Sequence, residues 1–164
     1  PGEDQVEVPS RFDPSSFASH PEMDAYTVTE ELLGRLQDNP YAFIAVNYAN
    51  GDMVGHTGEI DAARQAIEVV DTCVGRIVDR LLELDAHILI TADHGNAEEM
   101  LDAETGLQKT SHTTNPVHCI YVAPDAEGRR LVAHGKLSDI APTVLELLGL
   151  DVPGQMTAAS LFAG

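Results

Sequence analysis

The chain has 164 residues, 43% of them apolar, and carries nine Lys and Arg against 27 Asp and Glu, a formal charge of −18. That length suits one domain, residues 1–164, with a real core, and no apolar run approaches the ~18 residues that cross a bilayer. So negative a surface excludes nucleic acid and anionic membranes as partners; no charged-then-apolar leader precedes the core, and Cys73 and Cys119 make no disulfide framework, so a reduced, cytoplasmic setting is expected.

In chain order, Gln5-Val-Glu-Val8 reads as a short extended piece closed by Pro9, and residues 10–22, rich in Pro and Ser, as an ordered surface loop. Thr27-Val-Thr-Glu30 has the form of a capping box, opening a helix that carries Leu32, Leu33 and Leu36 and stops before Asn39-Pro40. Ala42-Phe-Ile-Ala-Val46 is a continuous apolar run of strand length, expected to be buried on both faces. A long helix follows from about Ile60 to Leu84: Ile60, Ala63, Ile67, Val70, Val74, Ile77, Leu81 and Leu84 recur at alternating three and four, forming one apolar stripe. Set between strand-like runs, it reads as a crossover helix of a parallel sheet. Ile88-Leu-Ile-Thr-Ala92 reads as a buried strand, Asp102-Ala-Glu-Thr-Gly106 as a turn, and Val117-His-Cys-Ile-Tyr-Val122 as another strand. Ser138 is expected to cap a last helix, Asp139 to Leu148, closed by Gly149.

The informative residues lie at the ends of these elements. Asp52 and His56 are four apart, so they share one face if a helix starts there. Asp93 and His94 end the strand-like run, and His112 sits in the polar loop Lys109-Thr-Ser-His-Thr-Thr-Asn115. Singly, each has a plainer reading: a solvated helix face, a turn with a helix cap, a loop histidine. Together, carboxylate and imidazole from three segments at strand ends are the ligand types of a two-metal site that handles phosphate esters. The acidic surface would repel such a substrate, although bound divalent cations reverse the sign locally. Cys73 and Cys119 read as packed thiols, and His118, inside a strand run, as no ligand.

With those motifs placed, Asn47-Tyr-Ala-Asn-Gly-Asp-Met-Val-Gly-His-Thr57, Thr91-Ala-Asp-His-Gly-Asn-Ala-Glu98 and Ser111-His-Thr-Thr-Asn-Pro-Val117 closely resemble the cofactor-independent phosphoglycerate mutases of the alkaline phosphatase superfamily. Pro21-Glu-Met-Asp-Ala-Tyr26 and Asp139-Ile-Ala-Pro-Thr143 also look like segments of that family, so the resemblance covers essentially the whole chain. It implies an α/β fold, a three-layer sandwich around a mostly parallel central sheet, here incomplete. It also implies that Asp52, His56 and His112 hold one Mn²⁺, or another divalent metal, and that Asp93 and His94 supply half the ligands of a second. Gly51 stands where the family usually has Pro, and His118 where Pro is common; neither is a ligand position.

The family's Ser nucleophile, the Asp that accompanies it and the basic substrate-gripping domain have no counterpart in this stretch, and a start at Pro1 rather than Met suits a trimmed fragment. Ser15, Ser16 and Ser111 are not expected to replace that nucleophile. The resemblance implies an intact enzyme in which a metal-activated Ser takes the phosphate of 3-phosphoglycerate and returns it as 2-phosphoglycerate, with no 2,3-bisphosphoglycerate required. The intact enzyme is expected to be a monomer in glycolysis, losing activity as pH drops toward ~6.5 and the imidazoles protonate. The fragment alone is expected to be inactive and to invite self-association through exposed sheet edge or apolar surface. Other readings are part of a related phosphatase, phosphodiesterase or phosphopentomutase, or a non-catalytic metal-binding module.

Overall fold

The computed structural model describes residues 2–38 and 41–163. Among these, four α-helices and two strands follow in the order α1 (Ala25–Asp38), α2 (Asn50–Gly55), α3 (Ile60–Glu83), β1 (Ile88–Thr91), β2 (Cys119–Val122) and α4 (Ile140–Leu147), with 3₁₀ turns at Pro14–Ser19 and Leu137–Asp139. The chain divides into two compact units: Pro1–Arg80 with His94–Val117, and Leu81–Asp93 with His118–Gly164.

In the first unit, the expected loop over 10–22 contains a 3₁₀ turn. Asp13 starts it, its side chain accepting the Ser15 backbone N–H at 2.9 Å, and Phe17 is driven into the core. Helix α1 begins at Ala25, so Thr27 lies within it and the expected capping box does not form. A capping residue stands just outside its helix with non-helical backbone, and the start of α1 is fixed instead by the 21–24 segment. There Asp24 takes hydrogen bonds from the backbone and side chain of Arg11, and Asn50 Nδ2 donates to the carbonyls of Pro21 and Glu22, both at 2.9 Å. The helix ends at Asp38; Asn39 and Pro40 lie outside the described residues.

Helix α2 is short and two-faced. Val54 is fully buried against Phe17, Met23, Ala62, Ala63, Ala66 and Met100, while Asp52 and His56 lie toward solvent. Helix α3 matches its expected span, but the buried stripe is rotated from the expected one. Ala62, Ala63, Ala66, Cys73 and Ile77 are buried, whereas Ile60 and Ile67 remain nearly half exposed. Small side chains at 62, 63 and 66 let α2 and the Phe17 turn approach closely, which larger residues on the neighbouring stripe would prevent. Further along, Arg76 pairs with Glu30 of α1 at 2.7 Å, and the Tyr48 hydroxyl meets the buried Thr29 hydroxyl at 2.7 Å.

The expected strand Ala42–Val46 is absent, and Phe43 is 57% exposed. Among the described residues, none from 42 to 48 enters a backbone hydrogen bond. An apolar run becomes a buried strand only where neighbours pair its amides and carbonyls. The same want of pairing leaves Gln5–Val8 outside any strand.

In the second unit, β1 and β2 pair antiparallel, Ile88 opposite Val122 and Thr91 opposite Cys119. This is the one sheet among the described residues, so the expected parallel crossover through α3 is not formed here. The later elements are tied by Thr143, whose buried hydroxyl donates to the Asp139 carbonyl at 2.6 Å and accepts the Leu161 N–H at 2.8 Å. Ser138 does not cap α4. It sits within the 3₁₀ turn, and the Asp139 carboxylate takes the Lys136 backbone N–H at 2.7 Å instead. The turn over 102–106 is as expected, the Asp102 carboxylate accepting the Glu104 and Thr105 amides, with Gly106 at φ 68.

Candidate metal centre

Asp52 falls in the first turn of α2, where a carboxylate is favoured by the exposed amides, and His56 follows its last residue one turn later. Both side chains therefore leave the same face. The loop carrying His112 is brought beside them by the bridge between Gly95 and Thr113, whose N–H donates to the Gly95 carbonyl at 2.8 Å. Three donor atoms then converge. Asp52 Oδ1 lies 3.1 Å from His56 Nε2 and 2.9 Å from His112 Nε2, and the two imidazole nitrogens are 3.0 Å apart.

These edges test the fit of a divalent ion. Donors bound at about 2.1 Å stand about 3.0 Å apart when bonds meet at right angles and about 3.4 Å apart when tetrahedral. The observed triangle suits the former. Its chemistry fits as well, since two imidazoles with one carboxylate suit Mn²⁺, Co²⁺ or Zn²⁺ better than an ion demanding an all-oxygen shell. His56 is already turned to bind. Its Nδ1 lies 2.6 Å from the Thr110 carbonyl, which can only accept, so in the neutral ring the Nε2 lone pair faces the other donors.

His94 lies beside this triangle without entering it. Its ring stacks on His112, centroids 3.8 Å apart. Asp93, exposed just after β1, belongs to the second unit, while the other four expected ligands belong to the first.

Several residues that sequence reasoning left without a role surround the donors. Asn96 Nδ2 donates to Asp52 Oδ1 at 2.7 Å. Burial works to raise the Asp52 carboxyl, but this amide, with the electrostatic effect of the neighbouring His56, His112 and His94 side chains, outweighs it and holds the group below the usual carboxylate range. Glu98 accepts the Asn96 backbone N–H at 2.6 Å through Oε2, and the Thr113 hydroxyl and Asn115 amide through Oε1. The Thr113 hydroxyl leads in holding Glu98 below its usual range, against the effect of burial. The signal for these residues was their place inside the motifs Thr91–Glu98 and Ser111–Val117, which gave them no individual role.

Residues 1–152 match the model of the Metalloenzyme superfamily, and the chain belongs to that superfamily. Within it, the chain is 52% identical over 161 residues to the 2,3-bisphosphoglycerate-independent phosphoglycerate mutase of Clostridium beijerinckii, covering 98% of this chain and 31% of that protein. It is 48% identical over 163 residues to the enzyme of the same name from Clostridium tetani, 99% of this chain and 32% of that protein. A crystal structure of Leishmania mexicana phosphoglycerate mutase, obtained at low cobalt concentration, superposes with a TM-score of 0.84 at 29% identity, over 96% of this chain and 31% of that one. The chain thus spans about a third of the length of the relatives it matches. The resemblance carried by the three motifs is borne out, and the α/β character with it.

Proposed function

We propose that this chain is the metal-binding C-terminal part of a phosphoglycerate mutase that interconverts 3-phosphoglycerate and 2-phosphoglycerate through a phosphoserine. The observation that carries this reading is the donor triangle of Asp52, His56 and His112, built from two segments far apart in sequence. In the whole enzyme these three hold one Mn²⁺ or similar ion, and Asp93 and His94 contribute to a second. The remainder of the alkaline phosphatase-like sandwich, with a mostly parallel sheet, supplies the nucleophile and the substrate grip. Divalent cations there supply charge to activate a hydroxyl and to balance phosphoryl oxygens.

This chain's own residues do the holding. Thr110 fixes the His56 ring, Asn96 fixes the Asp52 carboxylate, and the Gly95–Thr113 bridge sets the loop of His112. The strongly acidic surface is compatible with an anionic substrate because the cations outweigh it at the site itself. No described helix is long and apolar enough to cross a membrane, and the cytoplasm, where glycolysis runs, is the expected location. The test is an assay of the full-length protein on both phosphoglycerates. Interconversion without 2,3-bisphosphoglycerate supports the mutase; release of inorganic phosphate alone would assign it to a phosphatase of the same fold.

A further inference from the structure

One buried atom near the metal centre finds no partner among the described residues. Asn96 is 5% exposed, and its Oδ1 makes no hydrogen bond to any of them. Folded chains satisfy nearly every buried acceptor, so an exception needs a reason. Here the reason is the other end of the amide. To turn Oδ1 toward a donor would turn Nδ2 away from Asp52, whose Oδ1 is the same oxygen that faces His56 and His112. The side chain also lies against Gly55, where any Cβ would stand 2.5 Å from Asn96 Oδ1.

The backbone of Asn96 is held from the opposite side. Glu98 divides its two oxygens between two loops, Oε2 taking the Asn96 N–H and Oε1 taking Thr113 and Asn115, the neighbours of His112. Gly95 lies between them, and a side chain there would collide with both Thr113 and Glu98. Asp52 and His112 are therefore joined through Asn96, Glu98 and Thr113 by contacts that involve no ion.

We propose that Asn96 and Glu98 are positioning residues of the metal centre, Asn96 fixing the rotamer of the Asp52 carboxylate and Glu98 setting the distance between that carboxylate and the loop of His112. The proposal deepens the metal-centre reading and rests on it. Groups that orient ligands in this way typically change metal affinity by about 10–100-fold when removed.

The experiment titrates this chain with Co²⁺ alone, following heat release and the visible absorption of bound Co²⁺, in the wild type, His112→Ala, Asn96→Ala, Glu98→Ala and Glu98→Gln. Expected are affinity losses of about 10–100-fold for Asn96→Ala and Glu98→Ala with altered Co²⁺ absorption. Glu98→Gln, which keeps one acceptor oxygen, should recover part of the loss. A merely stabilising role would leave the absorption of bound Co²⁺ unchanged. Wild-type affinity and absorption in Asn96→Ala and Glu98→Ala, with His112→Ala still defective, would overturn the proposal and leave the metal centre standing. A wild type that binds Co²⁺ no better than His112→Ala would overturn both. Should Asn96→Ala not fold, the wild type itself decides by NMR during Zn²⁺ titration. The Asn96 side-chain amide should be protected from exchange and shift as Zn²⁺ binds; an unprotected, unshifted amide refutes the assignment.

Discussion

Gly55→Ala sets two physical effects against each other at one position. Gly55 is the last residue of α2, and Ala favours a helix over Gly by up to about 1 kcal/mol. Against this, the added Cβ would lie 2.5 Å from Asn96 Oδ1 and 2.9 Å from Asn96 Cγ. Relieving that contact moves the amide by roughly 1 Å, which stretches the 2.7 Å bond from Nδ2 to Asp52 beyond hydrogen-bonding range. Loss of a hydrogen bond to a charged group costs about 1.5–3 kcal/mol, and overpacking a filled site about 1–3 kcal/mol. The steric effect wins, and a net destabilisation of about 2–4 kcal/mol is expected, a fall in melting midpoint of about 5–15 °C for a chain of this size. The comparison is Gly75→Ala in the middle of α3, where nothing lies within 4 Å of the new methyl group. Only helix propensity acts there, so the midpoint should rise by about 2–4 °C. Far-ultraviolet circular dichroism melts of the two variants provide the check. If Gly55→Ala is as stable as Gly75→Ala, the claimed packing of Asn96 against α2 is wrong.

Calorimetric titration of this chain with Mn²⁺ should show one ion held appreciably better than any second, because three donors, from Asp52, His56 and His112, converge here; two equally tight sites would contradict this. Asp24 is opposed by burial, but the Arg11 backbone N–H and guanidinium hold its carboxyl below the usual range. A depressed folded-state value stabilises the fold above the ordinary carboxylate range, and that stability is lost as pH falls through the depressed value. Asp24→Asn should therefore cost about 1 kcal/mol near neutrality and flatten the acid side of the stability profile, measured as urea midpoint against pH; an unchanged acid limb would refute the pairing. Phe43→Lys with Val46→Lys should reduce self-association of this chain in sedimentation velocity, since both apolar side chains are exposed on an unpaired run. A wild type that stays monomeric at high concentration would count against it.

The site was more legible in the sequence than the fold around it. Asp52, His56 and His112 could be read because few residue types ligate metals, and their positions at element ends are apparent without knowing how the ends meet. Helix α3 was legible for a similar reason: a helix closes its hydrogen bonds within itself, so periodicity alone locates it. A strand does not. Ala42–Val46 has the composition of one, yet pairing depends on segments elsewhere, and the same dependence is why the run from Ile88 was read into a parallel sheet although Ile88–Thr91 pairs antiparallel with Cys119–Val122. The stripe on α3 was misplaced because its hydrophobic ranking favours Ile60 and Ile67 over Ala62 and Ala66, while close packing at α2 selects the smaller residues. Asn96 and Glu98 stood within the motif Thr91–Glu98 but received no role, because an amide or carboxylate in a loop acquires its partners only from the path of the backbone.

The unpaired run offers a practical gauge. Its amides should trade hydrogen for deuterium at the speed of a short free peptide, since no described backbone acceptor shields them. Whatever supplies a neighbouring strand would slow that trade at residues 42–46 alone. A mass shift confined to one small peptide would then register assembly, without a label and without any need to follow turnover.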